Sequence, residues 1–247
     1  MPGHDINFQA LAGTLDYPGR AEVPLLQLSD MVAGMFAAIT VLGALARRRS
    51  AVHIDVPIVQ SLLSWMVIPA AAYIATGESP SRGHSLMFGS TPYYNLYRTS
   101  DGRYFAVAAV EEEFWHNLVT ALGVPEVEGL RFGTPAERRQ ATAALRRAFA
   151  TRTRDQWAAS LSEAETCATP VLSVGEALRS DWAKAASMLT KAGGGDVLNS
   201  PVWTSPPQRG RPFRRAPALG ADTAAVMRSL GYGASRVKAL RDAGVLQ

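Results

Sequence analysis

Gly3-His4-Asp5-Ile6-Asn7, and then Leu28-Ser29-Asp30-Met31 at the head of a long apolar run, are the segments around which the chain is organised. His4 stands between a glycine and an aspartate, in a stretch too polar for a core strand, which makes it a candidate proton-transfer centre. Asp30 separates Leu25-Leu26-Gln27-Leu28 from Met31 to Ala46, an almost unbroken apolar stretch. A carboxylate there caps the helix, does chemistry from its N-terminus, or both. Taken alone, the position favours capping. The helix is expected from Asp30 to about Arg48, apolar on every side and therefore buried on all faces.

Working outward, 247 residues at 47% hydrophobic can bury a core as one large or two small domains. Charged residues at 19% are too few and too dispersed for long disorder. The net charge of +4 comes mostly from arginine, which fits a phosphate-bearing partner or a plain solvated surface. The cations are scattered and not interleaved with aromatics, so no nucleic-acid partner is expected. A single cysteine, Cys167, excludes a disulfide framework and suggests a reducing, cytoplasmic setting. The polar N-terminus does not read as a secretory signal. Met31 to Ala46 and Ser61 to Ala75 both fall short of the roughly 20 residues that span a bilayer. Both are expected as buried helices, with no membrane partner.

Residues 1 to 29 read as loop and short turns, Tyr17-Pro18-Gly19-Arg20 being a turn signal. Val52 to Val56 alternates like a short strand, and Pro57 to about Ala75 reads as a second buried helix. Ser100-Asp101-Gly102 between two apolar runs predicts a hairpin of Tyr93 to Thr99 with Arg103 to Val110. Glu111 then ends the second strand, and a helix follows to Leu122 with Gly123 as its stop. Thr134-Pro135-Ala136-Glu137 opens a helix to about Thr151, and Arg154 to Glu165 is another. Thr169 to Leu172 is a short strand, Val174 to Arg179 a helix started by Ser173, and 222–230 with 235–243 a terminal helical pair. The fold class is α/β.

Gly3 to Phe8, then Leu28 to Met31, then Ala108 to Phe114 resemble the α-methylacyl-CoA racemases of the class III CoA-transferase family, and Pro92-Tyr93-Tyr94, Ser100 to Tyr104, Cys167 to Val171 and Ala216 to Gly220 look like further signposts of it. The terminal Leu230-Gly231-Tyr232 and Leu240 to Val245 resemble the family's usual ending. The resemblance implies a partial Rossmann-like large domain plus a smaller α+β domain, in an interlocked dimer. On that reading residues 1–60 are a large-domain part with the catalytic loop and buried helix, and 61–92 are a linker. The small α+β domain occupies 93–190, a second linker 191–204, and 205–247 return to the large domain. The family's N-terminal third, with its first strands and most nucleotide contacts, is expected outside this sequence. A companion chain supplying it is therefore an alternative partner to a second copy.

By the same resemblance the chemistry is movement of the α-proton of a 2-methyl-branched acyl thioester, an acyl-CoA, by two bases. His4 serves one face of the α-carbon, oriented by Glu111, and Asp30 serves the other. Asp5 supports the loop, Asn7, Tyr93, Tyr94 and Met31 contact substrate, and the N–H groups beside Asp30 form an oxyanion site. Coenzyme A enters as part of the substrate, with no separate cofactor and no metal. The alternatives are a CoA transferase with Asp30 as nucleophile, or a subunit or non-CoA catalyst working with a companion chain or a carrier-protein thioester. Read without the resemblance, His4 is as well explained as a loose terminal histidine, and Glu111 as an ordinary first-turn acid. Tyr93 and Tyr94 suit core packing at least as well as an acyl pocket, and Cys167 suits a core or pocket wall.

Overall fold

A computed structural model describes residues 2–16, 22–47, 51–79, 89–192, 195–198 and 217–246. They form two compact units, Met1–Val171 and Leu172–Gln247. The expected turn at Tyr17, the Arg48 end of the long helix, and the chain from 199 to 216 lie outside the described residues.

The first unit opens with helix α1, Asp5–Leu11, where loop was expected. Its signal is polar. Asp5 places an acid in the first turn, the His4 N–H donates to Asn7 Oδ1 at 3.0 Å, and Gln9 Nε2 donates to Asp5 Oδ2 one turn away at 2.6 Å. An apolar 3.6-residue stripe is not what holds it, so hydrophobic periodicity passes over it. Helix α2 runs Leu28–Ala46 with Gln27 at its N-cap, so Asp30 is its third residue, not its cap.

Ser29, Val32 and Ala33 of α2 are buried, whereas Met31, Met35, Ile39, Leu42 and Leu45 are exposed, which corrects the expected burial on all faces. At 19 residues and mean hydropathy 1.8, α2 is also long and apolar enough to cross a membrane by length and composition. Residues 52–56 form no strand. The second apolar run is two helices, α3, Ile58–Trp65, and α4, Val67–Thr76, bent by 76°. Pro69 accounts for the break: with no N–H it cannot bond back to Trp65, and it is tolerated only in a first turn. The helix restarts beyond Met66, and none of the residues in α4 is buried.

The predicted hairpin is present. Strands β1, Tyr94–Arg98, and β2, Tyr104–Ala108, pair antiparallel with Arg98 opposite Tyr104, and Gly102 takes a left-handed φ of +80° in the turn. Strand β3, Ala168–Pro170, adds antiparallel to the other edge of β2. One face of this sheet packs on helices α5, Glu112–Leu122, α6, Pro135–Phe149, and α7, Arg154–Leu161. Gly123 stops α5 with φ +70°, and Thr134 caps α6 by accepting the Glu137 N–H, as the spacing predicts. Between α5 and α6 lies an unexpected 3-10 helix, Pro125–Leu130, held by Trp115 Nε1 donating to the Glu128 carbonyl at 2.7 Å. Tyr97 and Phe149 stack at 5.1 Å between ring centres, and Trp157 meets Phe149 edge-on at 5.6 Å.

Tyr97 is fully buried, and its hydroxyl donates to the Pro92 carbonyl at 2.6 Å. Burial pushes its phenol above the ordinary value of 10.0, with Arg146 and Thr142 pulling weakly the other way. Its contribution to stability is whole below pH 10.0, the value of an unfolded tyrosine, and is lost as pH rises toward the higher folded value. Thermal melts at pH 9 and 11 should therefore show an alkaline loss of stability that is smaller in Tyr97→Phe. An equal loss in both proteins would refute this.

The second unit contains α8, Val174–Arg179, capped by Ser173 as predicted, and a short unpredicted α9, Asp181–Ala185. Strands β4, Leu189–Ala192, and β5, Gly195–Leu198, pair antiparallel where linker was expected from residue 191. The terminal pair is α10, Thr223–Ser229, and α11, Ala234–Asp242.

Candidate active site

Asp5 is the centre of the arrangement. It is only 9% exposed, and its Oδ1 accepts the Ser29 N–H at 2.8 Å, the Ser29 hydroxyl at 2.5 Å and the Asp30 N–H at 3.3 Å. Its Oδ2 accepts from Gln9, whose amide also reaches the Leu26 carbonyl at 3.2 Å. Ser29 and Asp30 are the second and third residues of α2, the positions whose N–H groups an N-cap side chain normally satisfies. Gln27 makes no such bond, so Asp5 caps α2 from the neighbouring helix. Burial alone would raise its carboxyl. The hydrogen bonds from Ser29, Gln9 and the Asp30 backbone outweigh burial and hold it below the usual 3.8, so it stays a pure acceptor at neutral pH.

This junction fixes the two candidate bases. His4 precedes Asp5 as the N-cap residue of α1, and Asp30 follows Ser29 in the first turn of α2. Both residues are exposed. Gly3 matters to this approach, because a Cβ there would lie 3.2 Å from the Phe8 ring and 3.3 Å from Asn7 Cβ. Asn7, expected to contact substrate, spends its Oδ1 on the His4 N–H. Met31 is exposed next to Asp30. One expectation is overturned: the N–H groups of Ser29 and Asp30 are taken by Asp5, so they cannot serve as the oxyanion donors. Ser29 and Gln9 were the residues missed, although Ser29 adjoins Asp30 and Gln9 lies one turn from Asp5.

Glu111 occupies the N-cap position of α5 with an exposed side chain that makes no cap hydrogen bond, and no hydrogen bond or ion pair joins it to His4 among the described residues. Its carboxylate acts on Cys167, an exposed residue whose thiol is pushed up first by partial desolvation and then by the Glu111 and Glu165 charges. Cys167 has a left-handed φ of 46° and lines a cavity of about 390 Å³ with Phe105, Leu161 and Thr169. Tyr93 is a core residue, 2% exposed and edge-on to Phe132 at 5.2 Å, so it does not open onto a pocket, while Tyr94 is half-buried. His116 Nδ1 pairs with Glu128, and His84 lies outside the described residues.

The family description CoA-transferase family III matches residues 1–223. The chain belongs to this family. It is similar to the α-methylacyl-CoA racemase of Homo sapiens, 26% identical over all of this chain and 67% of that protein. It is also similar to the acetyl-CoA:oxalate CoA-transferase of Acetobacter aceti, 26% identical over 83% of this chain and 55% of that one. Among solved structures, a CaiB/BaiF family protein from Brucella suis superposes with a TM-score of 0.75 at 26% identity, over 92% of this chain. The chain spans 63% of that structure's length. The fold is thus that of an α/β class III CoA-transferase, and the two relatives named with an activity are a racemase and a CoA transferase.

Proposed function

We propose that this family member moves the α-proton of a 2-methyl-branched acyl thioester, an acyl-CoA, with His4 and Asp30 as bases for opposite faces of the α-carbon. The observation that carries the reading is the Asp5 junction. One buried carboxylate holds the starts of two helices together and leaves an imidazole and a carboxylate exposed on the adjoining residues. An α-proton beside a thioester is too weakly acidic for an unassisted base, so proton removal needs positioned bases and stabilisation of the enolate. One base removes the proton and the other returns one to the opposite face. Glu111 is assigned the orienting role toward His4, and the oxyanion donors must be groups other than the Ser29 and Asp30 amides. Tyr94 and Met31 remain the substrate-contact candidates.

A second reading is favoured by the exposed Asp30 at a helix start and by the named transferase relative. Asp30 would attack the acyl-CoA carbonyl, the CoA thiolate would leave, and a mixed anhydride would form. Incubating a chiral 2-methylacyl-CoA in deuterated water separates the two. Deuterium uptake with loss of configuration supports the isomerase. Passage of CoA to a free acid, without exchange, supports the transferase. A carrier-protein thioester is the third substrate to assay.

The reading extends to assembly and setting. α2 and α4 each expose apolar side chains, Met35, Ile39 and Leu42 on the first and Ile68 and Ile74 on the second, and exposed apolar clusters of this kind mark association sites. We read them as association surfaces for a second copy or a companion chain in the cytoplasm, not as lipid-facing ones, and we assign no nucleic-acid partner and no cofactor beyond substrate CoA. Light scattering at micromolar concentration should give at least a dimer's mass, and a well-folded monomer would refute this.

A further inference from the structure

The arginine excess of the sequence is not used by the His4–Asp30 centre, and part of it converges elsewhere. Arg98, at the end of β1, and Arg146, in the last turn of α6, line one groove of about 680 Å³ beside the Thr99–Gly102 turn. That volume is in the range of small-molecule sites, about 300–1,000 Å³. The groove's other walls are Leu96, 54% exposed, and Tyr104, 45% exposed. Both stand on the sheet face opposite the buried Tyr97 and Phe105.

Neither arginine has an acidic partner among the described residues. The nearest acid in the turn, Asp101, is already engaged, accepting the Thr99 hydroxyl at 2.5 Å and the Arg154 N–H at 3.3 Å. One of the guanidinium groups lies against the turn. A Cβ on Gly102 would stand 3.2 Å from Arg98 Nη2, and the φ of +80° there excludes most side chains in any case. Arg146 also complements the helix dipole of α6, but Arg147 beside it does the same.

We propose that this groove binds the phosphate end of a nucleotide, with Arg98 and Arg146 on the phosphate and the Leu96–Tyr104 wall against the base. Guanidinium forks match phosphate and carboxylate geometry alike. Charge decides between them. A phosphomonoester carries about −2 at neutral pH and satisfies both cations, whereas a carboxylate leaves one unpaired. A free nucleotide and the 3′-phosphate end of a CoA thioester share this chemistry. The proposal does not depend on how His4 and Asp30 work.

The test is calorimetric titration of the full chain with adenosine 3′-monophosphate, with adenosine as the phosphate-free control. Adenosine 3′-monophosphate should bind and adenosine should not. Arg98→Gln and Arg146→Gln should each weaken binding about tenfold, and added salt should weaken it further. Arg147→Gln should bind as the parent does, and unchanged melting of all three variants would exclude unfolding as the cause. Displacement by CoA but not by dephospho-CoA would make the thioester's 3′-phosphate the source, and displacement by neither would make it a free nucleotide. The proposal is overturned by equal binding of adenosine, by no binding at millimolar concentration, or by full affinity in both arginine variants.

Discussion

Asp5→Ala is expected to destabilise the first unit by about 3 kcal/mol, and to remove activity at both candidate bases together. The substitution strips the acceptor from two α2 amides, the Ser29 hydroxyl and the Gln9 amide. Buried donors left without a partner cost roughly 1–3 kcal/mol each, softened where water reaches them. For a chain of this length, about 3 kcal/mol lowers the melting temperature by about 6–12 °C. Asp5→Asn should fall between the two, since its Oδ1 can still serve Ser29 while its amide nitrogen faces the Gln9 amide. Gln9 could turn over to accept, but it would then lose its bond to the Leu26 carbonyl. The pH dependence has a definite sign. Because the folded carboxyl is held below 3.8, its contribution is whole above that value and is lost as pH falls through it toward the lower folded value. Acid titration of the wild type and Asp5→Asn, followed by circular dichroism, should show a smaller acid-linked loss in the variant. Identical melting of Asp5→Ala and wild type at pH 7 would remove the junction from the account.

What the sequence made legible follows the kind of force involved. The hairpin at Gly102, the caps at Thr134 and Ser173, and the stop at Gly123 are written in residues whose local chemistry admits few conformations. Structure held by tertiary side-chain bonds was not visible in the same way. Helix α1 exists through Asp5, Asn7 and Gln9, and Asp5 acts across 24 residues, so no window of the sequence contains the pair. The apolar runs misled in the opposite direction. Composition says that Met31 to Ala46 avoids water, but not which surface covers it, and among the described residues Met31, Met35, Ile39, Leu42 and Leu45 stay exposed. At the site, His4, Asp5 and Asp30 were legible from their motif and are brought to one junction. Glu111 is not joined to His4 by any hydrogen bond or ion pair among the described residues, and its partnership with His4 is a proposal.

The second large effect concerns stereochemistry. His4→Ala and Asp30→Ala should each lower interconversion of a chiral 2-methylacyl-CoA by about 100- to 10,000-fold, the usual worth of a positioned proton-transfer group. The two variants should fail differently from an enzyme that has merely lost its fold. Each retains one base, so each can still remove and return a proton on one face only. Deuterium should then enter from the solvent with retention of configuration, His4→Ala accepting one enantiomer and Asp30→Ala the other. Glu111→Gln should slow the His4 face selectively, because a neutral amide cannot stabilise the imidazolium that forms when His4 takes the proton. Neither base variant touches the Asp5 junction through its side chain, so melting temperatures should stay near the parent's while those of Asp5→Ala fall. Loss of exchange for both enantiomers in both single variants would mean that the two groups do not act on separate faces. Passage of CoA to a free acid that Asp30→Ala abolishes and His4→Ala spares would assign Asp30 to the nucleophile's role, because a covalent anhydride needs that carboxylate and not a second base.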